Sequence, residues 1–165
     1  MLLRPLALLT PALLAACAST PHVDPIEGPM VSILVVDKTA GSRRDAITVR
    51  YGYADCNLLI GKDCYVSEIY TGRKDGITPL LRKVPAADNR PAMLSTMITV
   101  GDRHCDYHYK FRPVPGSTYQ IEAATEFSGI FPVSSVQCSV RFLDITKPDE
   151  PKPVEQLACL PPLCR

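Results

Sequence analysis

The feature that most constrains this chain is a turn, Gly101-Asp102, set between two runs of alternating character, Met93 to Val100 and Arg103 to Phe111. A two-residue hairpin turn fixes the pairing: Val100 faces Arg103, Ile98 faces Cys105, Thr96 faces Tyr107 and Leu94 faces Tyr109. That register collects Leu94, Ile98, Cys105, Tyr107, Tyr109 and Phe111 on one face. The other face then carries Ser95, Met97, Thr99, His104, Asp106 and His108. A slip of one residue would mix the two sets, so turn and pattern specify the same hairpin.

Shorter strands are legible on either side. Val31 to Asp37 is an apolar run rich in branched residues, and Ile47, Val49 and Tyr51 alternate with Thr48 and Arg50. Tyr65 to Tyr70 is a third candidate. Gly72 to Pro91 is expected to be a long loop with at most one edge strand around Leu80, Leu81 and Val84, because Pro79, Pro85 and Pro91 interrupt it. Further on, Tyr119, Ile121 and Ala123 form one inner face and Val136, Cys138, Val140 and Phe142 another, with a loop expected from Glu126 to Pro132. Six to eight short strands with no helical period predict an all-β fold, an antiparallel β-sandwich over residues 29–146, immunoglobulin-like or transthyretin-like in topology. The chain has no tryptophan to pack on an inter-sheet bridge, so it is not a true antibody-type domain. Residues 147–165 contain five prolines and are expected to be an extended C-terminal tail.

The first sixteen residues have a different character. Met1 to Arg4 is short and positive, Pro5 to Leu13 is apolar, and Leu14-Ala15-Ala16-Cys17 places small residues before a cysteine. The stretch is broken by Pro5 and Pro11 and falls short of the roughly 20 apolar residues that a membrane span needs. It resembles the lipobox leader of bacterial lipoproteins. The resemblance implies a signal peptide at 1–16, cleavage before Cys17, and lipid such as palmitate on Cys17, and Ala18 after it implies the outer membrane. Residues 17–28 are then the lipidated cysteine and a tether with His22 an ordinary member of it, reaching roughly 20 Å as a coil and about 35 Å extended.

With Cys17 assigned to lipid, Cys56, Cys64, Cys105, Cys138, Cys159 and Cys164 remain, and an even number in an exported chain predicts disulfides. Locality and face matching favour Cys56 with Cys64, Cys105 with Cys138, and Cys159 with Cys164. No C-x-x-C knuckle points to zinc. The 18 Lys and Arg against 17 Asp and Glu, without a basic run, give no footprint for nucleic acid.

Two constellations on the polar face of the hairpin suggest chemistry. His104, Asp106 and His108, with Met97 nearby, offer ligands suited to copper or zinc. Residues four apart on a strand are about 13 Å apart, however, so the three cannot meet at one ion. Ser95 opposite His108, with Asp106 beside it, formally supplies a nucleophile, a base and an orienter, but no G-x-S-x-G elbow accompanies them. Both are expected to be solvated surface, and Tyr51, Tyr53, Tyr65, Tyr70, Tyr107, Tyr109 and Tyr119 are expected in the core with a polar tip at the rim. The expectation is a non-enzymatic, lipid-anchored lipoprotein of the cell envelope facing the periplasm. It would need no cofactor and would bind another envelope protein as an assembly or inhibitor module. The alternative is a periplasmic metal-binding protein using His104, Asp106 and His108.

Overall fold

The computed structural model describes residues 22–39, 46–54, 66–73, 78–86, 90–130 and 133–155. They form nine strands and no helix: β1 (Met30–Thr39), β2 (Ala46–Tyr53), β3 (Val66–Arg73), β4 (Leu80–Pro85), β5 (Ala92–Val100), β6 (Arg103–Phe111), β7 (Thr118–Ile130), β8 (Val133–Asp144) and β9 (Lys152–Pro153). One sheet has the order β4-β1-β7-β8-β9 and the other β3-β2-β5-β6, and the two pack face to face as a β-sandwich. Every pairing is antiparallel except β1 with β7 at the centre of the first sheet. An antibody-type domain puts its first two strands side by side in one sheet. Here β1 and β2 lie in different sheets, so the order accords with the transthyretin-like alternative.

The β5–β6 pairing has the register expected from the turn, from Val100 opposite Arg103 to Ala92 opposite Phe111, and Gly101 supplies the positive φ of 62° that the turn demands. The inner faces alternate as the sequence suggested. Val31, Ile33, Val35, Ile47, Val49, Leu94, Ile98 and Ile121 are all buried. Phe111 stands at the centre of an aromatic cluster with edge-on contacts to Tyr51, Tyr119 and Phe142 at ring-centre distances of 6.5, 5.2 and 4.8 Å.

Four details depart from the sequence reading. The pairing of β7 with β8 continues from Tyr119 opposite Asp144 to Ile130 opposite Val133, so β7 runs through most of the loop expected at Glu126 to Pro132. Backbone pairing carries the ribbon beyond the segment whose side chains alternate. The start of the proline-rich tail is held as β9, with Val154 N–H donating to Phe142 O at 3.1 Å. In β3, Val49 pairs with Tyr70 but Arg50 pairs with Glu68, which leaves Ile69 as a bulge. The bulge reverses the alternation, and Ser67, Ile69 and Tyr70 are consequently all buried.

The fourth departure is His22, expected as an ordinary tether residue. Its ring is enclosed, with 1% of the side chain exposed. Nε2 lies 2.8 Å from Lys83 O and 2.9 Å from Asp24 Oδ1, and Nδ1 lies 2.9 Å from Ser67 Oγ. A carbonyl only accepts, so Nε2 carries the hydrogen. His22 thus bridges β3 of one sheet to β4 of the other, and from this point the chain belongs to the folded domain.

Candidate functional site

The two long sides where the sheets part are each closed by side chains of one sheet reaching backbone of the other. On β8 the carbonyls of Cys138, Val140 and Phe142 point away from β7, since alternate residues of a strand present their polar groups to the same side. Tyr107 Oη donates to Cys138 O at 2.6 Å, Tyr109 Oη donates to Val140 O at 2.9 Å, and Val154 N takes Phe142 O. One step along the same inner face of β6, Cys105 is joined to Cys138 by a disulfide with a Cα separation of 6.4 Å. This is the pairing that face matching favoured, although both cysteines are half-buried at the open side and not deep in the core. Cys17, Cys56, Cys64, Cys159 and Cys164 lie outside the described residues, as does Tyr65.

The opposite side repeats the device. Tyr51 Oη donates to Pro85 O at 2.8 Å, His22 to Lys83 O, and Arg82 Nε to Ile69 O at 3.2 Å. Pro85 has no N–H to leave exposed on this edge. Tyr70 Oη donates to Asp37 Oδ2 at 3.3 Å, and burial, followed by the charge and hydrogen bond of Asp37, pushes its phenol up to about 12. Burial also raises Tyr109, with neighbouring Tyr107 contributing less. Five of the seven tyrosines therefore have a ring in or against the core and a hydroxyl satisfied at the rim, counting Tyr119, whose oxygen accepts from Val114 N at 3.0 Å. Tyr53 instead lies under the Arg90 guanidinium, 4.2 Å from the ring centre.

The predicted site residues share the outer face of the β3-β2-β5-β6 sheet, where register arranges them in rows. Glu68, Arg50, Ser95 and His108 form one row across four strands, and Thr48, Met97 and Asp106 form the next. Along the first row Arg50 Nε approaches Glu68 Oε2 at 3.6 Å, and Ser95 Oγ lies 2.7 Å from His108 Nδ1. Between the rows is a hollow of about 80 Å³ lined by Thr48, Arg50, Ser95, Met97, Asp106 and His108. That volume holds two or three waters, whose share of liquid volume is about 30 Å³ each, against the roughly 300 Å³ at which small-molecule pockets begin.

Asp106 approaches His104 at 3.8 Å, with the two side chains 46% and 67% exposed. Among the described residues, no group of three or more His, Cys, Asp or Glu side chains is placed to hold a metal ion. His104, Asp106, His108 and Met97 share a face, as the register predicted.

Two features had no signal in the sequence. The outer face of the other sheet carries a charge ladder, in which Glu122 on β7 pairs with Arg141 on β8 and, at 3.0 Å, with Lys38 on β1. The Arg141 hydrogen bond, then that of Lys38, holds the Glu122 carboxyl below its usual range. At the β9 end, an open groove of about 580 Å³ runs between the turn after β6 and the tail, floored by Phe111 and Tyr119 and rimmed by Arg112, Asp144, Lys152 and Glu155. The groove arises because β9 holds the tail beside the turn. No family model matches the chain, and no curated protein shows significant sequence similarity to it.

Proposed function

We propose that this protein is a lipid-anchored lipoprotein of the cell envelope, processed at Cys17, facing the periplasm from the outer membrane. In this reading it acts without catalysis, as an assembly or inhibitor module that binds another envelope protein. The observation that carries the reading is the pairing of a Leu14-Ala15-Ala16-Cys17 leader with a domain whose two sheets are joined by the Cys105–Cys138 disulfide. Such a bond persists in oxidising compartments, and the leader leads to one. Strand addition needs unpaired backbone groups, and on β8 and β4 the outward carbonyls named above are already taken, which favours a face over these two edges for partner binding. The polar face with Thr48, Met97, Thr99, His104 and Asp106 is the surface of the second sheet left for a partner.

The test has two readouts. Intact mass of membrane-extracted protein should show loss of residues 1–16 and added acyl mass on Cys17. A photo-crosslinker at Met97, used in membranes, should capture a discrete partner that a probe at Ser139 does not. Retention of Met1, or an unmodified Cys17, removes the anchoring half of the reading, and identical crosslinking from both positions removes the binding face.

One observation favours a second reading, acyl transfer from Ser95, because its hydroxyl is within hydrogen-bond reach of His108. The two are a directly opposed cross-strand pair, a position where such contacts form without catalysis. Covalent labelling of Ser95 by a fluorophosphonate, abolished in His108→Ala, would establish the enzyme instead. The metal-binding alternative requires a tight, stoichiometric copper or zinc isotherm lost in His104→Ala or His108→Ala.

A further inference from the structure

We infer that the domain lies against the bilayer in one orientation, with the side where β3 and β4 meet the His22 strap facing the lipid. The inference rests on acylation of Cys17 as proposed above. If the fold began just before β1, twelve steps would separate Cys17 from Pro29, a reach of about 43 Å at 3.6 Å per step. His22 is instead held by Ser67 Oγ and Lys83 O. Only five steps then remain between the lipidated cysteine and a fixed point on the fold, at most about 18 Å. The headgroup layer itself takes up about 5 to 8 Å of this. A point on the β3–β4 side is therefore kept within about 10 to 13 Å of the headgroups, too short a leash for the domain to turn over.

The chemistry of that side suits the lipid interface. Among the residues whose side chains are described, the exposed large apolar ones are Val23, Ile26, Val66, Leu81, Met97 and Val114. Four of the six belong to this side: Val23 at 81% and Ile26 at 92% exposure follow His22 in the strap, Val66 at 48% opens β3, and Leu81 at 52% lies on β4. Nothing in the packing of the sandwich requires Ile26 or Val23 to be apolar. The charges around them are mixed: Lys83, Asp24 and Glu27 are exposed, and Arg82 approaches Asp24 at 3.9 Å. Insertion is thus apolar in origin, and should respond weakly to salt and to anionic lipid, unlike binding through a basic patch.

The absence of tryptophan from the sequence makes the test direct. Full-length protein is processed in its membrane, its Cys17 acyl mass is confirmed, and it is reconstituted in vesicles of phosphatidylethanolamine and phosphatidylglycerol with or without brominated phosphatidylcholine. Single probes are introduced as Ile26→Trp, Leu81→Trp and, on the far edge of the same sheet as Leu81, Gln137→Trp. The expected result is about twofold quenching by bromolipid for the first two, consistent with insertion by 5 to 10 Å, and none for Gln137→Trp. Adding His22→Ala to Leu81→Trp should remove most of the quenching, because the leash lengthens.

Acylated, vesicle-bound protein in which Ile26→Trp and Leu81→Trp fluoresce as in water would overturn the orientation while leaving the anchoring intact. Equal quenching of all three probes would overturn it as well, since it shows a tumbling domain. Absence of acyl mass on Cys17 would remove the anchoring and the orientation together.

Discussion

Replacing Cys105 and Cys138 together by alanine tests how the open side between β6 and β8 is held. The bridge spans a sequence separation of 33. In the chain-entropy model, closing a loop of that length removes about 12.5 cal/mol/K from the unfolded ensemble, or about 3.7 kcal/mol at 25 °C. The tyrosine hydroxyls alongside act differently. Each satisfies one outward carbonyl of β8. Tyr107→Phe or Tyr109→Phe should cost about 1 kcal/mol, at the low end of the range for a stranded acceptor because water reaches this side. Urea unfolding of the leaderless chain, followed by circular dichroism, measures all three. The double cysteine variant should lose 3 to 4 kcal/mol with little change in the native spectrum, equivalent to a Tm lower by about 10 °C.

The refuting results differ for the two parts of the reasoning. A loss under about 1 kcal/mol in the cysteine variant would mean that the unfolded chain gains little freedom when the bridge is cut. If the bridge acts on the unfolded state, Tyr107→Phe should also cost the same with and without it, to within about 0.5 kcal/mol. If the tyrosine effect vanishes in the cysteine-free background, the bridge is instead holding the side closed in the folded state.

Three further outcomes follow from individual contacts. Thr96 is 1% exposed on the inner face and its hydroxyl has no hydrogen-bond partner, so Thr96→Val should stabilise by about 1 kcal/mol in the same urea assay. A β-carbon at Gly72 would overlap the ring and hydroxyl of Tyr70, so Gly72→Ala should cost about 1 to 3 kcal/mol, relieved only partly by Tyr70→Phe because the ring remains. Tyr70 is raised from 10.0 to about 12, so the stability that its buried phenol contributes is fully present below pH 10 and is lost as pH rises to about 12. Tyr70→Phe should flatten that alkaline limb, and phenolate absorbance at high pH should show one fewer late-titrating group.

What could be read in the sequence divides along physical lines. The β5–β6 register was legible because turn chemistry and side-chain alternation constrain it independently, and the Ser95–His108 contact follows from it. The Cys105–Cys138 pairing was legible because both residues lie in phase with inner faces. The row joining Glu68 and Arg50 to Ser95 was not, because it depends on the Ile69 bulge, and Ser67-Glu68-Ile69-Tyr70 contains neither a glycine nor a proline to announce one. The parallel contact of β1 with β7 leaves no trace in either strand, since alternation records which face is buried and says nothing of a neighbour's direction. His22 was opaque for the same reason that it is effective: its partners are Ser67 and Lys83, 45 and 61 residues away.

These long-range polar contacts share one logic that bears on how the molecule can be used. An antiparallel sandwich has two open sides, and each exposes backbone groups that invite another strand. Here the inner-face tyrosines of one sheet extend to the rim and occupy carbonyls of the other, at Cys138 and Val140 on one side and Pro85 on the other. The aromatic rings fill the core and the hydroxyls close the edges, so one residue type both builds the interior and discourages sheet extension. A substitution of rim tyrosine by phenylalanine would keep the core and reopen the edge. If the edge caps matter for solubility as well as stability, Tyr107→Phe with Tyr109→Phe should raise the tendency to self-associate by more than its loss of about 2 kcal/mol alone accounts for, and sedimentation at matched folded fraction would separate the two effects.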